Sequence, residues 1–147
     1  MAMKVYLASD HAGFELKHAL VQFLNLLGHE AVDMGPTSLD PTDDYPDFVL
    51  PAARKVAEEA CFGVILGGSG EGEAMAANRI KGVRAAVYYG GSLDIVKLAR
   101  EHNDANVLSL GSRFLSAGDA EAALRMFLDT PFSGDERHVR RIAKLDQ

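Results

Sequence analysis

Apolar positions along the chain follow two alternating rhythms. Residues 4–9 (KVYLAS) and 62–66 (FGVIL) are short, nearly continuous apolar runs, the pattern of strands buried on both faces. Between them Phe14, Leu16, Ala19, Leu20, Phe23, Leu24 and Leu27 recur at helical spacing and stop at Gly28. The alternation continues to the end of the chain. A weak strand is predicted at 30–35, an acidic loop with prolines at 36–46 and a helix over about 47–60. After the strand at 62–66, a glycine loop opens a helix through Ala76, Ala77 and Ile80. Strands at 83–89 and 106–110 then alternate with helices near 92–102 and 117–128. A last helix, about 135–146, follows Pro131 and Gly134. Five strands separated by helices predict an α/β domain with a parallel sheet covered on both faces.

Composition narrows the class. A chain of 147 residues, 48% hydrophobic, fits one domain with a sizeable core. Its net charge of −6 argues against a nucleic-acid surface, although RHVRR (137–141) is a local basic cluster. No stretch reaches the ~18 apolar residues of a membrane span, and MAMKVYLASD meets Asp10 before a signal-peptide core can build. The single cysteine, Cys61, excludes an intrachain disulfide and fits a reducing compartment. A cytoplasmic protein is expected. There is no repeat, linker or low-complexity segment.

Ligands of a parallel sheet bind beyond the carboxyl ends of its strands. There the sequence offers Asp10 and His11 after the first strand, GGSGEGEA (67–74) after the third, and Ser112 and Arg113 after the fifth. The glycine loop is not a nucleotide loop: counted from Gly68 or Gly70, the third glycine of G-x-G-x-x-G falls on Glu73 or Met75, and no G-K-[ST] follows. It is either a turn opening a helix with helix-favoured glutamates, or backbone N–H groups beside an ionised carboxylate. The second arrangement suits removal of a carbon-bound proton, with Glu73, kept ionised by the helix N-terminus, as base and the N–H groups holding the oxyanion. Asp10 is either a helix cap or a catalytic group. His102 and Asn103, in EHND (101–104), are either a helix terminus or site residues on a sheet edge not fixed by sequence. Arg137 and Arg141, four apart on one helix face, form a surface charge pair or a bidentate phosphate grip. Val139, Ile142 and Leu145 give that helix an apolar side in need of a surface. Cys61 precedes its strand and is read as a core filler at the amino end of the sheet.

SDHAGFELK (9–17), DYP (44–46), GGSGEGEAMAANRIKGVRAA (67–86), AREHNDANVLSLGSR (99–113) and RHVRR (137–141) together resemble the ribose-5-phosphate isomerase type B family, which includes galactose-6-phosphate isomerase subunits. The resemblance runs from end to end. It implies a three-layer α/β/α, Rossmann-like fold with a five-stranded parallel sheet, assembled as homodimers or homotetramers with shared active sites. It also implies a small phosphorylated sugar as substrate, with no metal, no nucleotide and no other cofactor.

Position by position, the resemblance assigns Asp10 and His102 to ring opening, and His11, Arg113, Arg137 and Arg141 to the phosphate. Tyr45 and Asn103 become substrate contacts, while Ser69 and the N–H groups from Gly68 through Gly70 to Gly72 become the enediolate site. One branch of the family carries a basic cysteine just before the G-[ST]-G turn, where this chain has Gly67; the other carries a glutamate four residues after the turn's serine, here Glu73. The implied reaction interconverts ribose 5-phosphate and ribulose 5-phosphate. The alternatives are the same chemistry on erythrulose 4-phosphate or a hexose 6-phosphate, and a non-catalytic sugar-phosphate binder, which would need neither Glu73 nor His102. No role is assigned to Glu71 or His138.

Overall fold

The computed structural model describes residues 2–147. Its elements are β1 (Lys4–Ser9), α1 (Phe14–Leu26), β2 (Glu30–Asp33), α2 (Pro46–Glu59), β3 (Phe62–Gly67), α3 (Glu71–Ala77), β4 (Ala85–Tyr88), α4 (Asp94–Asn103), β5 (Val107–Gly111), α5 (Ala117–Asp129) and α6 (Glu136–Ala143). Single 3-10 turns, His11–Gly13 and Ser112–Phe114, follow β1 and β5. All strand pairs are parallel, in the order β2-β1-β3-β5-β4. The α/β architecture and the five-stranded parallel sheet agree with the sequence pattern.

Side chains alternate across the sheet and build two cores. Val5, Leu7, Val64, Leu66, Leu108 and Leu110 pack against α1, α4 and α5 on one face. Tyr6, Ala8, Ile65 and Val107 pack against α2 and α3 on the other. Because both faces are covered, the strands read as apolar runs rather than as half-polar alternations.

Several boundaries are shorter than the apolar pattern predicts, and side-chain hydrogen bonds explain two of them. The strand predicted at 83–89 begins only at Ala85. Before it, Asn106 accepts from the Arg84 N–H (2.8 Å) and donates to the Gly82 carbonyl (2.8 Å), diverting that backbone from the ladder. Helix α3 ends at Ala77 rather than running on through Ile80. Asn78 leaves the helix to bond both backbone groups of Ala85. Strand β2 stops at Asp33, two residues early, and α6 spans Glu136–Ala143 rather than about 135–146.

The strand order positions the site. Adjacent β1, β3 and β5 end in register, Ser9 beside Leu66 and Gly67 beside Gly111, so the loops leaving them converge. The chain order reverses between β1 and β3, where an open parallel sheet forms its ligand crevice. The long loop after β2 is rooted there by Lys17, a fully buried lysine whose ammonium donates to both Asp33 oxygens (2.8 and 2.7 Å) and to the Pro36 carbonyl (3.1 Å). Leaving Lys17 buried without its carboxylate would cost about 3–5 kcal/mol. The root of that loop is therefore fixed.

Candidate active site

Three strand ends and the β2–α2 loop converge at the carboxyl edge. From β1 come Asp10, whose Oδ1 accepts from the Gly13 N–H (3.1 Å), and His11, whose Nδ1 lies 2.8 Å from Asp43 Oδ1. Asp10 thus caps the turn with one oxygen, as a helix-start aspartate does. Tyr45 lies against Gly72, where an added Cβ would come within 2.8 Å of the phenol oxygen. Arg113, exposed after β5, lies over Gly68: its N–H donates to the Gly68 carbonyl (3.1 Å) and its guanidinium covers the space a Cβ would need.

The glycine loop and Glu73 form the centre. Gly70 has φ +82°, the left-handed region that disfavours side chains, and it precedes the first turn of α3. Its carbonyl accepts a 2.6 Å hydrogen bond from the fully buried Ser109 hydroxyl on β5. Ser69 Oγ accepts from the Glu71 N–H (3.2 Å). Glu71 faces solvent, whereas Glu73 is buried. An ideal Cβ at Gly67 would overlap the Glu73 carboxylate, so the glutamate fills the space that a side chain at position 67 would occupy.

The electrostatics of Glu73 differ from the expectation that the helix N-terminus keeps it ionised. Burial pushes its carboxyl above the ordinary glutamate value, its own backbone N–H opposes this, and the charge of Asp10 adds to the rise. Desolvation outweighs the opposing backbone hydrogen bond. A base so raised is a stronger proton acceptor than a solvated carboxylate.

The remaining sequence-predicted residues stand elsewhere in the chain. Helix α4 runs back from the end of β4 towards the start of β5, so its last turn lies at the amino edge. There Arg84 Nε, just before β4, donates to the Asn103 carbonyl (3.1 Å). His102 stacks on His138 of α6, with ring centroids 4.4 Å apart and planes 21° apart. His138 is the one buried residue of α6; burial, then the neighbouring His102, pushes its imidazole below the ordinary value. The tail therefore leans on α4 of its own domain, with Arg137 and Arg141 exposed. Asp10, His11, Tyr45, Ser69, Glu73 and Arg113 share the carboxyl edge. His102, Asn103, Arg137 and Arg141 share the amino edge, and within one chain these groups do not meet.

Two residues of the site escape sequence reasoning. Asp43 looks like one acidic loop residue among several, and only the fold brings it to His11. Ser109 lies inside an apolar strand, where a lone hydroxyl at a buried position was the available signal. Cys61 lies where expected, ahead of β3 at the amino edge, its thiol pushed up chiefly by burial. Among the described residues no group of three or more His, Cys, Asp or Glu side chains is arranged to hold a metal ion, and no helix is long and apolar enough to cross a membrane.

Comparison with known proteins finds similar sequences and structures over nearly the whole chain. Ribose-5-phosphate isomerase B of Mycolicibacterium paratuberculosis is 46% identical over 141 residues, covering 95% of this chain and 87% of the relative. The crystal structure of ribose-5-phosphate isomerase B from Mycoplasma genitalium, with bound ribulose-5-phosphate, matches with TM-score 0.92 at 40% identity, covering 99% of this chain and 95% of that one. The type B enzyme of Trypanosoma brucei matches with TM-score 0.92 at 38% identity, over 99% and 98% of the two chains. The profile of the ribose/galactose isomerase family spans residues 5–145, from the first strand past the last helix, and the chain belongs to that family.

Proposed function

We propose that the protein is an aldose–ketose isomerase interconverting ribose 5-phosphate and ribulose 5-phosphate through a cis-enediolate. The observation that carries this reading is the buried Glu73 carboxylate, filling the side-chain space of Gly67 beside a loop of glycine N–H groups. Such a pair can take a proton from carbon and hold the charge that appears on oxygen. Glu73 removes the C2 proton of the open aldose, and the electron pair forms the C1–C2 double bond, leaving the charge on O1. Loop N–H groups from Gly68 to Gly72 stabilise that oxyanion. Ser69 relays the O2 proton to O1, the enediolate closes to the C2 carbonyl, and Glu73 returns its proton to C1.

Substrate enters mainly as a closed furanose, and opening it needs a proton relay at the ring oxygen and the anomeric hydroxyl. His102 is suited to that task, with Asp10 assisting, but it lies at the opposite sheet edge from Glu73. We therefore read the active site as assembled from two subunits. Asp10, His11, Tyr45, Ser69, Glu73 and Arg113 come from one chain; His102, Asn103, Arg137 and Arg141 come from its partner. The exposed apolar side chains of Met75, Tyr89, Ile95, Leu98 and Phe114 support a subunit interface along the β4 edge, which α3 and α4 flank from opposite faces of the sheet. His11 and the three arginines grip the phosphate and so orient the reacting carbons. The composition supports a cytoplasmic setting for this homo-oligomer.

Turnover of the purified protein on a series of four-, five- and six-carbon sugar phosphates tests the assignment. The highest kcat/KM is expected on the ribose 5-phosphate pair. A higher value on a tetrose or hexose phosphate would overturn the choice of substrate, and no turnover on any of them would overturn the enzymatic reading.

A further inference from the structure

We propose that Asp43 is a positioning residue: its carboxylate fixes the His11 ring so that Nε2 meets the substrate phosphate and takes up a proton on binding. It rests on the isomerase function proposed above. The geometry is specific. A single oxygen, Asp43 Oδ1, accepts from the His11 backbone N–H (3.1 Å) and lies 2.8 Å from His11 Nδ1. One carboxylate therefore holds both the backbone and the ring of the same residue. Asp43 is not an ordinary solvated loop acid, since its side chain is only 6% exposed. Its second oxygen is buried with no hydrogen-bond partner. Burying an under-satisfied carboxylate is costly, and the His11 backbone and ring are the partners that offset this cost.

The consequence for His11 follows from the chemistry of imidazole. A carboxylate at Nδ1 makes that nitrogen the donor, so the neutral ring presents a lone pair at Nε2. A phosphate oxygen would then face a lone pair. Protonation at Nε2 converts it into a charge-assisted donor. The charged groups around the ring are Asp43 and Asp40 in the loop, Asp10 after β1 and Arg113 after β5. Asp43 pushes the His11 imidazole up most strongly, Asp10 adds to it, and burial and Arg113 oppose it; the net shift is upward. A raised imidazole keeps its charge to higher pH and loses the phosphate grip only as pH climbs through its own value. Without Asp43 that loss begins at lower pH.

Asp43→Asn tests this directly. Its KM for ribose 5-phosphate should rise about tenfold near neutral pH, as expected for loss of one charge-assisted hydrogen bond, while kcat stays within about twofold because chemistry at C2 is remote. The rise of KM with pH should begin lower than in the wild type, and Asp43→Glu should restore part of the difference. Histidine NMR of the wild-type protein gives a readout independent of turnover, the His11 signal being identified by its loss in His11→Asn. The neutral His11 ring should carry its proton on Nδ1, and inorganic phosphate should move its titration to higher pH. A proton on Nε2 of the neutral ring, or a His11 titration unmoved by Asp43→Asn, would overturn the proposal. If the wild-type protein turned over no sugar phosphate, the isomerase reading would fail, while the NMR result would still decide the Asp43–His11 pairing.

Discussion

Glu73→Gln should lower kcat by roughly 10²–10⁴, with KM for ribose 5-phosphate close to that of the parent. The amide keeps the volume that fills the Gly67 side-chain space, so packing is preserved. What it loses is the ability to accept the C2 proton. Because burial raises the Glu73 carboxyl, activity should fall on the acid side at higher pH than an ordinary glutamate would dictate, as the carboxylate is protonated and the base is lost. That acid limb should vanish in Glu73→Gln. Cys61→Ser is the matched control: Cys61 lies at the amino edge, remote from the glycine loop, and its burial-raised thiol makes a poor thiolate at neutral pH. Near-normal turnover by Glu73→Gln together with an inactive Cys61→Ser would reverse the assignment of the base.

His102→Asn should separate ring opening from isomerisation. Starting from ribose 5-phosphate, mostly a closed furanose, the chemical-step rate should fall by roughly 10²–10⁴ with loss of the acid–base group. Starting from ribulose 5-phosphate the loss should be far smaller, because O5 is esterified and this ketose cannot close a furanose ring. Single-turnover measurements in both directions make the comparison, with aldose ring closure excluded from the observed signal. Equal losses in the two directions would contradict a dedicated ring-opening role.

Much of the fold was legible because both sheet faces are buried: β1 and β3 read as continuous apolar runs, and α1 as a helical stripe closed by Gly28. The weaker edges were not. Val83 looks like strand, yet the Asn106 side chain takes up the backbone groups beside it, a bond between distant residues that periodicity cannot reveal. Glu73, Ser69, Asp10 and Arg113 could be collected from sequence because each follows a strand, and parallel strands deliver their loops to one edge. Nothing local distinguishes Asp43 from Asp40 or Asp44 until the loop rooted by Lys17 folds over His11. The raised carboxyl of Glu73 was also hidden, since burial depends on what the fold lays over α3. His102 is the instructive case: its place on the last turn of α4 sends it to the edge opposite Glu73, a consequence of helix direction that no local motif carries.

That separation makes the shared site the central claim, and subunit mixing tests it most directly. Glu73→Gln subunits should be mixed with Arg137→Ala/Arg141→Ala subunits and exchange verified before assay. If Glu73 of one chain works with the arginines of its partner, each mixed pair combines one doubly defective site with one intact site. Activity should then rise well above that of either parent. Activity no higher than the parents', despite verified exchange, would place Glu73 and the arginines in the same chain's site and contradict the account.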